Sequence, residues 1–450
     1  MNGAVSGPAL FLTPEETAML DGGHGPGTAM AMRIVVAVAG VLGADRLMPI
    51  TNAHIDSCLY HGQAGLDFAQ KLADLGAKVA VPTTLNTSSL DLLHPGLVRL
   101  PPSEAVPARA LMDAYRTLGA RATWTCAPYQ STERPAFGEN IAWAESNAIV
   151  FANSVLGART ERYGDFLDIC AAVTGRVPHA GLHLSEHRLP AVELDCSQLS
   201  TAMLGHEAVW AALGGVVGRL VGERIPLLTG IDPGAVDEDK LKAFGATAAS
   251  SGGVALFHIA GVTPEALAAG WGGDGASGGT GIGGAGGTGT GGDADPGAPD
   301  WEAITPAMVR CMRDELTTAD PAAPLDAIAL GTPHFSTTEF NQLAGLLQGK
   351  PFFSPGCTVW INTSREVLAQ ARESGHAQAA EERGARIVVD TCTYITPILG
   401  PEERAVMTPS GKWAWYAPMN IGVDIIFATL AECVDSALAG KVVRHDEQWA

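Results

Sequence analysis

AIALGTPHFSTTE, residues 327–339, opens on four apolar residues and closes on Ser336 and Glu339, three positions apart. A short apolar run that ends at Gly and Pro reads as a buried strand. Ser336 followed by Glu339 reads as a capping box: the serine oxygen accepts the amide at the third helical position and the glutamate reaches back to the cap. A strand leading straight into a capped helix is the repeating unit of a parallel sheet, whose return connections run through helices.

The same two signals recur along the chain. Thr13-Pro14-Glu15-Glu16, Thr263-Pro264-Glu265 and Thr305-Pro306 read as helix starts, and Thr363 with Glu366 as a further capping box. Strand-like runs lie at 78–81, 148–151, 254–257, 327–330, 386–389 and 424–427. The alternation predicts an α/β fold of parallel or mixed sheets covered by helices on both faces. In such a fold, functional groups sit in the loops that leave the strands.

Composition narrows the function. With 450 residues, 46% of them hydrophobic, the chain exceeds one compact core, and two or three lobes are expected. It carries 48 acidic against 28 basic residues, a formal charge of -20, and no Lys/Arg cluster, so no nucleic-acid partner is expected. The apolar stretch 34–42 falls well short of the roughly 20 residues of a membrane span and reads as a packed helix end, so no membrane partner is expected. Residues 1–12 lack the features of a secretory signal, and a cytoplasmic location is expected.

Residues 270–292 are mostly Gly and cannot bury enough apolar surface to offset their chain entropy. No strand leads into these glycines and no Lys lies among them, which argues against a phosphate-binding loop. The expected division is therefore N-terminal α/β lobes over 1–269, a flexible insertion over 270–298 and a C-terminal α/β lobe over 299–450.

Eight cysteines without a CxxC pair argue against a disulfide framework, a zinc ribbon or a ferredoxin-type site. Cys126 follows the short strand-like run 122–125 and Cys392 follows 386–389, so both stand where a strand exits into a loop. Thiolates converging at such exits suit an iron centre with one open position. Cys357, in SPGC before the apolar run 358–361, is the third candidate. Cys58, Cys170, Cys196, Cys311 and Cys433 read as buried packing residues.

From Leu12 onward the sequence resembles the catalytic domain of aconitase X over nearly its whole length apart from the Gly-rich insertion. The stretches that carry the resemblance are LTPEETAML (12–20), ITNAHIDSCLYHGQAGLDFA (50–69), AKVAVPTTLNTSSLD (77–91), TWTCAPYQ (123–130) and the long segment 138–183. FHIAGVTPEA (257–266), LGTPHFSTTEF (330–340), VVDTC (388–392) and TPSGKWAWYAP (408–418) complete the series. The resemblance implies an aconitase-like fold of three lobes and an iron–sulfur dehydratase, with a [2Fe–2S] cluster favoured and Cys126 and Cys392 among its ligands. It implies a fourth, swivelling domain as well, which is not expected within this chain. A small swivel-domain subunit, giving a heterodimer, is the expected partner.

Within the family, the resemblance implies dehydration of cis-3-hydroxy-L-proline to a pyrroline-2-carboxylate. Archaeal relatives acting on 5-phosphomevalonate are expected to carry Cys where this chain has Thr332. That substrate is the alternative, and a cluster-free structural or regulatory subunit is the alternative of another class. Removing water next to a carboxylate needs a base, a Lewis acid and fixed donors for the developing charge. Ser410 is the candidate base, activated by Lys412, although Pro409-Ser410-Gly411 is also ordinary turn chemistry.

Thr83, Thr84, Asn86, Glu145, Ser146, Asn153 and Arg159 are candidate substrate-binding groups. Arg159 suits a bidentate clamp or a local pair with Glu161 or Asp165. Of His24, His54, His61 and His183, only His54 is expected to line the site. Trp413, Trp415 and Tyr416, at strand-like spacing, are expected to form wall or core.

Overall fold

The structure, a computed structural model, describes residues 10–131, 134–271, 300–320, 322 and 324–450. The insertion expected at 270–298 lies outside the described residues except for Gly270 and Trp271.

Three lobes follow one another, each with its own sheet. The first carries β1 (Leu47–Pro49), β2 (Ala53–Ile55), β3 (Thr83–Leu85), β4 (Ala142–Trp143) and β5 (Arg176–Pro178). β2, β3 and β4 form a parallel sheet in the order β3-β2-β4, while β1 and β5 pair antiparallel. The second lobe carries β6 (Val192–Asp195), β7 (Pro226–Thr229), β8 (His258–Ile259) and β9 (Asp300–Ala303), all parallel in the order β8-β7-β6-β9. The third carries β10 (Ala327–Phe335), β11 (Thr358–Thr363), β12 (Arg386–Val388), β13 (Ala405–Thr408) and β14 (Asp424–Phe427), parallel in the order β12-β11-β10-β13-β14.

The third sheet shows why its strands read as continuous apolar runs. Ala327, Ala329, Trp360, Val406, Ile425 and Phe427 face the second lobe's core around Trp210 and Phe244. Ile328, Leu330, Val359, Ile361, Met407 and Ile426 face the opposite way, against Phe340, Leu343, Leu368 and Val434 of the covering helices. Both faces are buried, so the period of two is hidden within uniformly apolar sequence. The second lobe's helices Glu207–Val221 and Glu238–Ser251 touch backbone to backbone. A Cβ on Gly214 would lie 2.2 Å from the Phe244 carbonyl oxygen, so only glycine permits that approach.

The expected strands at 327–330, 386–389 and 424–427 are present, as are the helices that start at Pro14, Pro264, Pro306 and Thr337. Thr13 with Glu16 and Ser336 with Glu339 form complete capping boxes. Other expectations differ. Residues 148–151 lie in the helix Ser146–Phe151, because the Glu145 carboxylate accepts the Ala148 N–H at 2.9 Å and starts a helix where four apolar residues carry no period of their own. The ladder near 78–81 begins later, at Thr83, and that near 254–257 at His258. The helix expected to be capped at Thr363 is capped by Ser364. Residues 122–125 run extended beside β3, with Thr125 N–H bonded to the Leu85 carbonyl at 3.2 Å, but Trp124 at φ 45° breaks the strand. Trp413, Trp415 and Tyr416 lie on the helix Gly411–Ile421.

The lobe boundary also moves. β9 adds to β6 as an edge strand of the second sheet, and Val309 and Met312 of the helix Pro306–Glu315 join the second lobe's core. The segment after the insertion thus completes the second lobe before the third begins.

Candidate active site

The C-terminal ends of the first and third sheets meet, and the loops leaving them bring thiol, carboxylate, imidazole and ammonium groups together. From the first lobe come Asp56 after β2, Asn86 after β3 and Glu145 after β4, with Cys126 at the end of the extended run beside β3. From the third come His334 at the end of β10, Cys392 after β12 and the helix Gly411–Ile421 after β13. Strand ends are where α/β sheets place their ligand sites.

Cys126, His334 and Cys392 converge: a potential ligand atom from each lies within 4.8 Å of the others, and all three residues are buried. The His334 backbone N–H donates to Cys126 Sγ at 3.3 Å. Its imidazole is held between Thr125 Oγ1, 3.0 Å from Nδ1, and the Thr391 carbonyl, 3.2 Å from Nε2. Burial pushes this imidazole down to about 4, so it is neutral at physiological pH. The hydrogen bond with Cys126, together with burial, pushes the Cys392 thiol well above its usual range, and Lys412 opposes that shift.

Beside the thiols, Lys412 forms a buried ion pair with Glu145 and lies 3.3 Å from Ser146 Oγ. Burial alone would discharge the ammonium, but Glu145, then Tyr394 and Cys126, hold it charged with its pKa raised. Asn147 bonds Glu145 and donates to the Cys126 carbonyl at 2.8 Å, which ties the ion pair to the cysteine loop. Asp56 is bonded by the Asn86 side-chain amide. Burial and the charge of Glu145 push its carboxyl up to about 7, against the opposing bond from Asn86. Asp168 accepts the Asp56 and Ser57 N–H groups at 2.9 and 3.1 Å and is itself raised to about 6 by burial. A cleft of about 400 Å³ is lined by Thr393 and Ile395, just after Cys392 in the chain, and by Leu59, Tyr60 and His61 of the first lobe.

Cys126, Cys392, Asn86, Glu145, Ser146 and Lys412 are thus brought to one place. His54 and Thr84 face each other across β2 and β3 at 2.7 Å, with His54 lowered to about 3 by burial, while the Thr83 hydroxyl turns back to the Val81 carbonyl. Ser410 caps the helix that carries Lys412, accepting the Trp413 N–H at 3.0 Å and donating to the Thr332 carbonyl. The Thr332 hydroxyl is buried and has no hydrogen-bond partner among the described residues.

Three expected residues stand elsewhere. Cys357 enters β11 rather than leaving it, so it sits at the opposite end of the third sheet, packed in that lobe's core. Asn153 is saturated by Thr160, by Ala255 of the second lobe and by Arg188. Arg159 donates to the His183 carbonyl and Ser185 Oγ, both at 2.9 Å, instead of clamping a ligand or pairing with Glu161 or Asp165. Of the five cysteines read as packing residues, Cys311 is exposed and the other four are buried. His334 and Asp56 were missed by the sequence reading, although both lie in the quoted motifs, one residue short of a strand end and one past it.

Three family profiles match the chain: Aconitase X first domain over residues 9–186, second domain over 190–275 and third domain over 325–439. A cis-3-hydroxy-L-proline dehydratase of Pseudomonas aeruginosa is 42% identical over 95% of this chain and 70% of its own length. A Hypocrea jecorina protein of the same name is 37% identical over 96% and 70%. The phosphomevalonate dehydratase large subunit of Methanosarcina mazei is 34% identical over 96% and 98%. The solved holo-form of Thermococcus kodakaraensis aconitase X superposes with a TM-score of 0.79 at 31% identity, covering 95% of this chain and all of that one.

Proposed function

The chain belongs to the aconitase X family, and from that premise we propose that it is a hydro-lyase that removes water from cis-3-hydroxy-L-proline to give a pyrroline-2-carboxylate. The observation that carries this reading is the meeting of Cys126, His334 and Cys392 beside the buried Lys412–Glu145 pair. The relatives named for hydroxyproline match at higher identity than those named for phosphomevalonate. A cluster-free structural subunit would have no need of two thiols and a neutral imidazole gathered from two lobes.

Soft thiolates suit iron–sulfur clusters, and imidazole joins them in mixed two-iron centres. Cys126 and Cys392 would hold such a group with His334 as third donor, and a [2Fe–2S] centre is the form we favour. When bound, it supplies a Lewis acid for the departing hydroxyl.

The chain's own groups do the rest. Lys412, kept charged by Glu145, stands as a fixed cation for the negative charge that builds on the substrate carboxylate. Asp56, with its carboxyl near neutrality, takes the proton from C2. The C2–H electron pair becomes the C2=C3 bond, the C3 hydroxyl leaves with its bonding pair and takes a proton from solvent to become water, and Asp56 returns its proton to solvent. Ser410, whose hydroxyl hydrogen is engaged by the Thr332 carbonyl, acts by setting the helix that aims Lys412. Asn86 and Ser146 stand on the substrate side, while His54 and Thr84 are spent on each other across β2 and β3.

A small swivelling subunit completing the site belongs to the proposal, since the Methanosarcina mazei relative is named a large subunit. The free cysteines fit a cytoplasmic setting, and among the described residues no helix is long and apolar enough to cross a membrane. The test is anaerobic expression with and without such a subunit, followed by visible spectroscopy and assay on cis-3-hydroxy-L-proline and 5-phosphomevalonate. Visible absorption with activity on hydroxyproline is expected. A colourless protein, inactive on both, overturns the reading.

A further inference from the structure

Cys126 and Cys392 belong to different lobes, each with its own hydrophobic core, so something outside those cores must fix how far apart the thiols lie. Two buried aspartates join the lobes just upstream of Cys392. Asp91, in the first lobe, accepts the Val389 N–H of the third lobe at 3.0 Å. Asp390, in the third lobe, accepts the Leu92 N–H of the first at 3.0 Å. The exchange is reciprocal: adjacent residues of one lobe and adjacent residues of the other trade one carboxylate and one amide each. The Asp390 carbonyl also accepts the Ser88 N–H at 2.7 Å and its hydroxyl at 3.2 Å. Arg365 grips the same carboxylate with Nε at 2.7 Å and Nη2 at 2.5 Å, and Asp390 holds φ 64°, a conformation Asp and Asn tolerate better than most side chains.

We propose that this Asp91–Asp390 clasp, braced by Arg365, is the positioning device of the metal centre: it holds the Cys392 loop against the Cys126 lobe, and its loss parts the thiols while both lobes stay folded. Among the described residues none of the three hydrogen-bonds a candidate ligand atom, so they act through the loop. The inference rests on the reading of Cys126 and Cys392 as ligands.

The test uses the full chain carrying Asp390→Asn with Arg365→Gln, which keeps an acceptor and a compatible backbone but removes the ionic grip, and separately Asp91→Asn with Asp390→Asn. In the metal-free chain, alkylation of each cysteine is followed by mass spectrometry. Cys126 and Cys392 should react at least tenfold faster than in the parent, while Cys170 and Cys433, deep in the lobe cores, should not change. Cobalt(II) titration should show thiolate-to-metal absorption in the parent and at least tenfold weaker binding in the variants, with far-UV circular dichroism unaltered and Arg365→Lys retaining more binding than Arg365→Gln. Unchanged alkylation at Cys126 and Cys392 overturns the clasp. Faster alkylation at those two sites, in a parent that binds no cobalt, upholds the clasp and sinks the metal-centre reading instead.

Discussion

Lys412 and Glu145, from the third and first lobes, form an ion pair that is almost wholly buried beside the two converging thiols. Such a pair adds little net stability, but removing one partner strands the other as an uncompensated charge. Glu145→Gln is therefore expected to cost about 3–5 kcal/mol, read as a fall in the denaturant midpoint. The double variant Glu145→Leu with Lys412→Met should recover much of that stability without recovering activity, since no cation then faces the substrate. A double variant that restores turnover would show that the pair serves folding alone.

Replacing Cys126 or Cys392 by Ala should abolish visible absorption and bound iron. Cys357→Ala and Cys433→Ala should leave both unchanged, because these thiols lie in the third lobe's core away from the convergence. Iron analysis of anaerobically purified protein decides the matter, and iron loss on Cys357→Ala with Cys392→Ala unaffected would reverse the ligand assignment.

Asp56 links stability to pH. Its folded-state pKa of about 7 lies above the ordinary value of 3.8, so the folded chain holds this proton more tightly than the unfolded chain. The resulting stabilisation is complete below about pH 4 and is lost as pH rises through 7. Asp56→Asn, which can still accept from Asn86, should match the parent near pH 4 and exceed it at pH 8, by about 4 kcal/mol. Thermal melts at the two pH values measure this, and activity should be lost at every pH. An Asp56→Asn variant that retains turnover would move proton transfer to another group.

How much of this was readable beforehand depended on distance along the chain. The Ser336–Glu339 box and the strand before it are local, and both form as read. Residues 148–151 are also local, but four apolar residues fit either periodicity, and the deciding contact is the carboxylate of Glu145 at the cap. Cys392 and Cys357 both adjoin apolar runs. Only the direction of the chain separates them, since leaving a strand puts a residue at the functional edge of a parallel sheet and entering one puts it at the far edge. His334 escaped notice because its partner Cys126 is 208 residues away, so nothing in its own neighbourhood marks it. Asn153 is a polar group that the fold turned inward and saturated, and Arg159 is spent on the His183 carbonyl and the Ser185 hydroxyl.

Ser410 separates capping from catalysis in a single position. Its oxygen accepts the Trp413 N–H and its hydroxyl donates to the Thr332 carbonyl, and Lys412 follows two residues later on the helix it caps. Loss of a cap costs about 1 kcal/mol, so Ser410→Ala should lower stability by that amount and loosen Lys412. Asn caps helices as well as Ser but offers no hydroxyl. Ser410→Asn should therefore keep the parent's stability and most of its turnover, whereas Ser410→Ala should lose both in part. Turnover falling equally and severely in the two variants, with Ser410→Asn as stable as the parent, would make the hydroxyl itself the proton acceptor and would relieve Asp56 of that role.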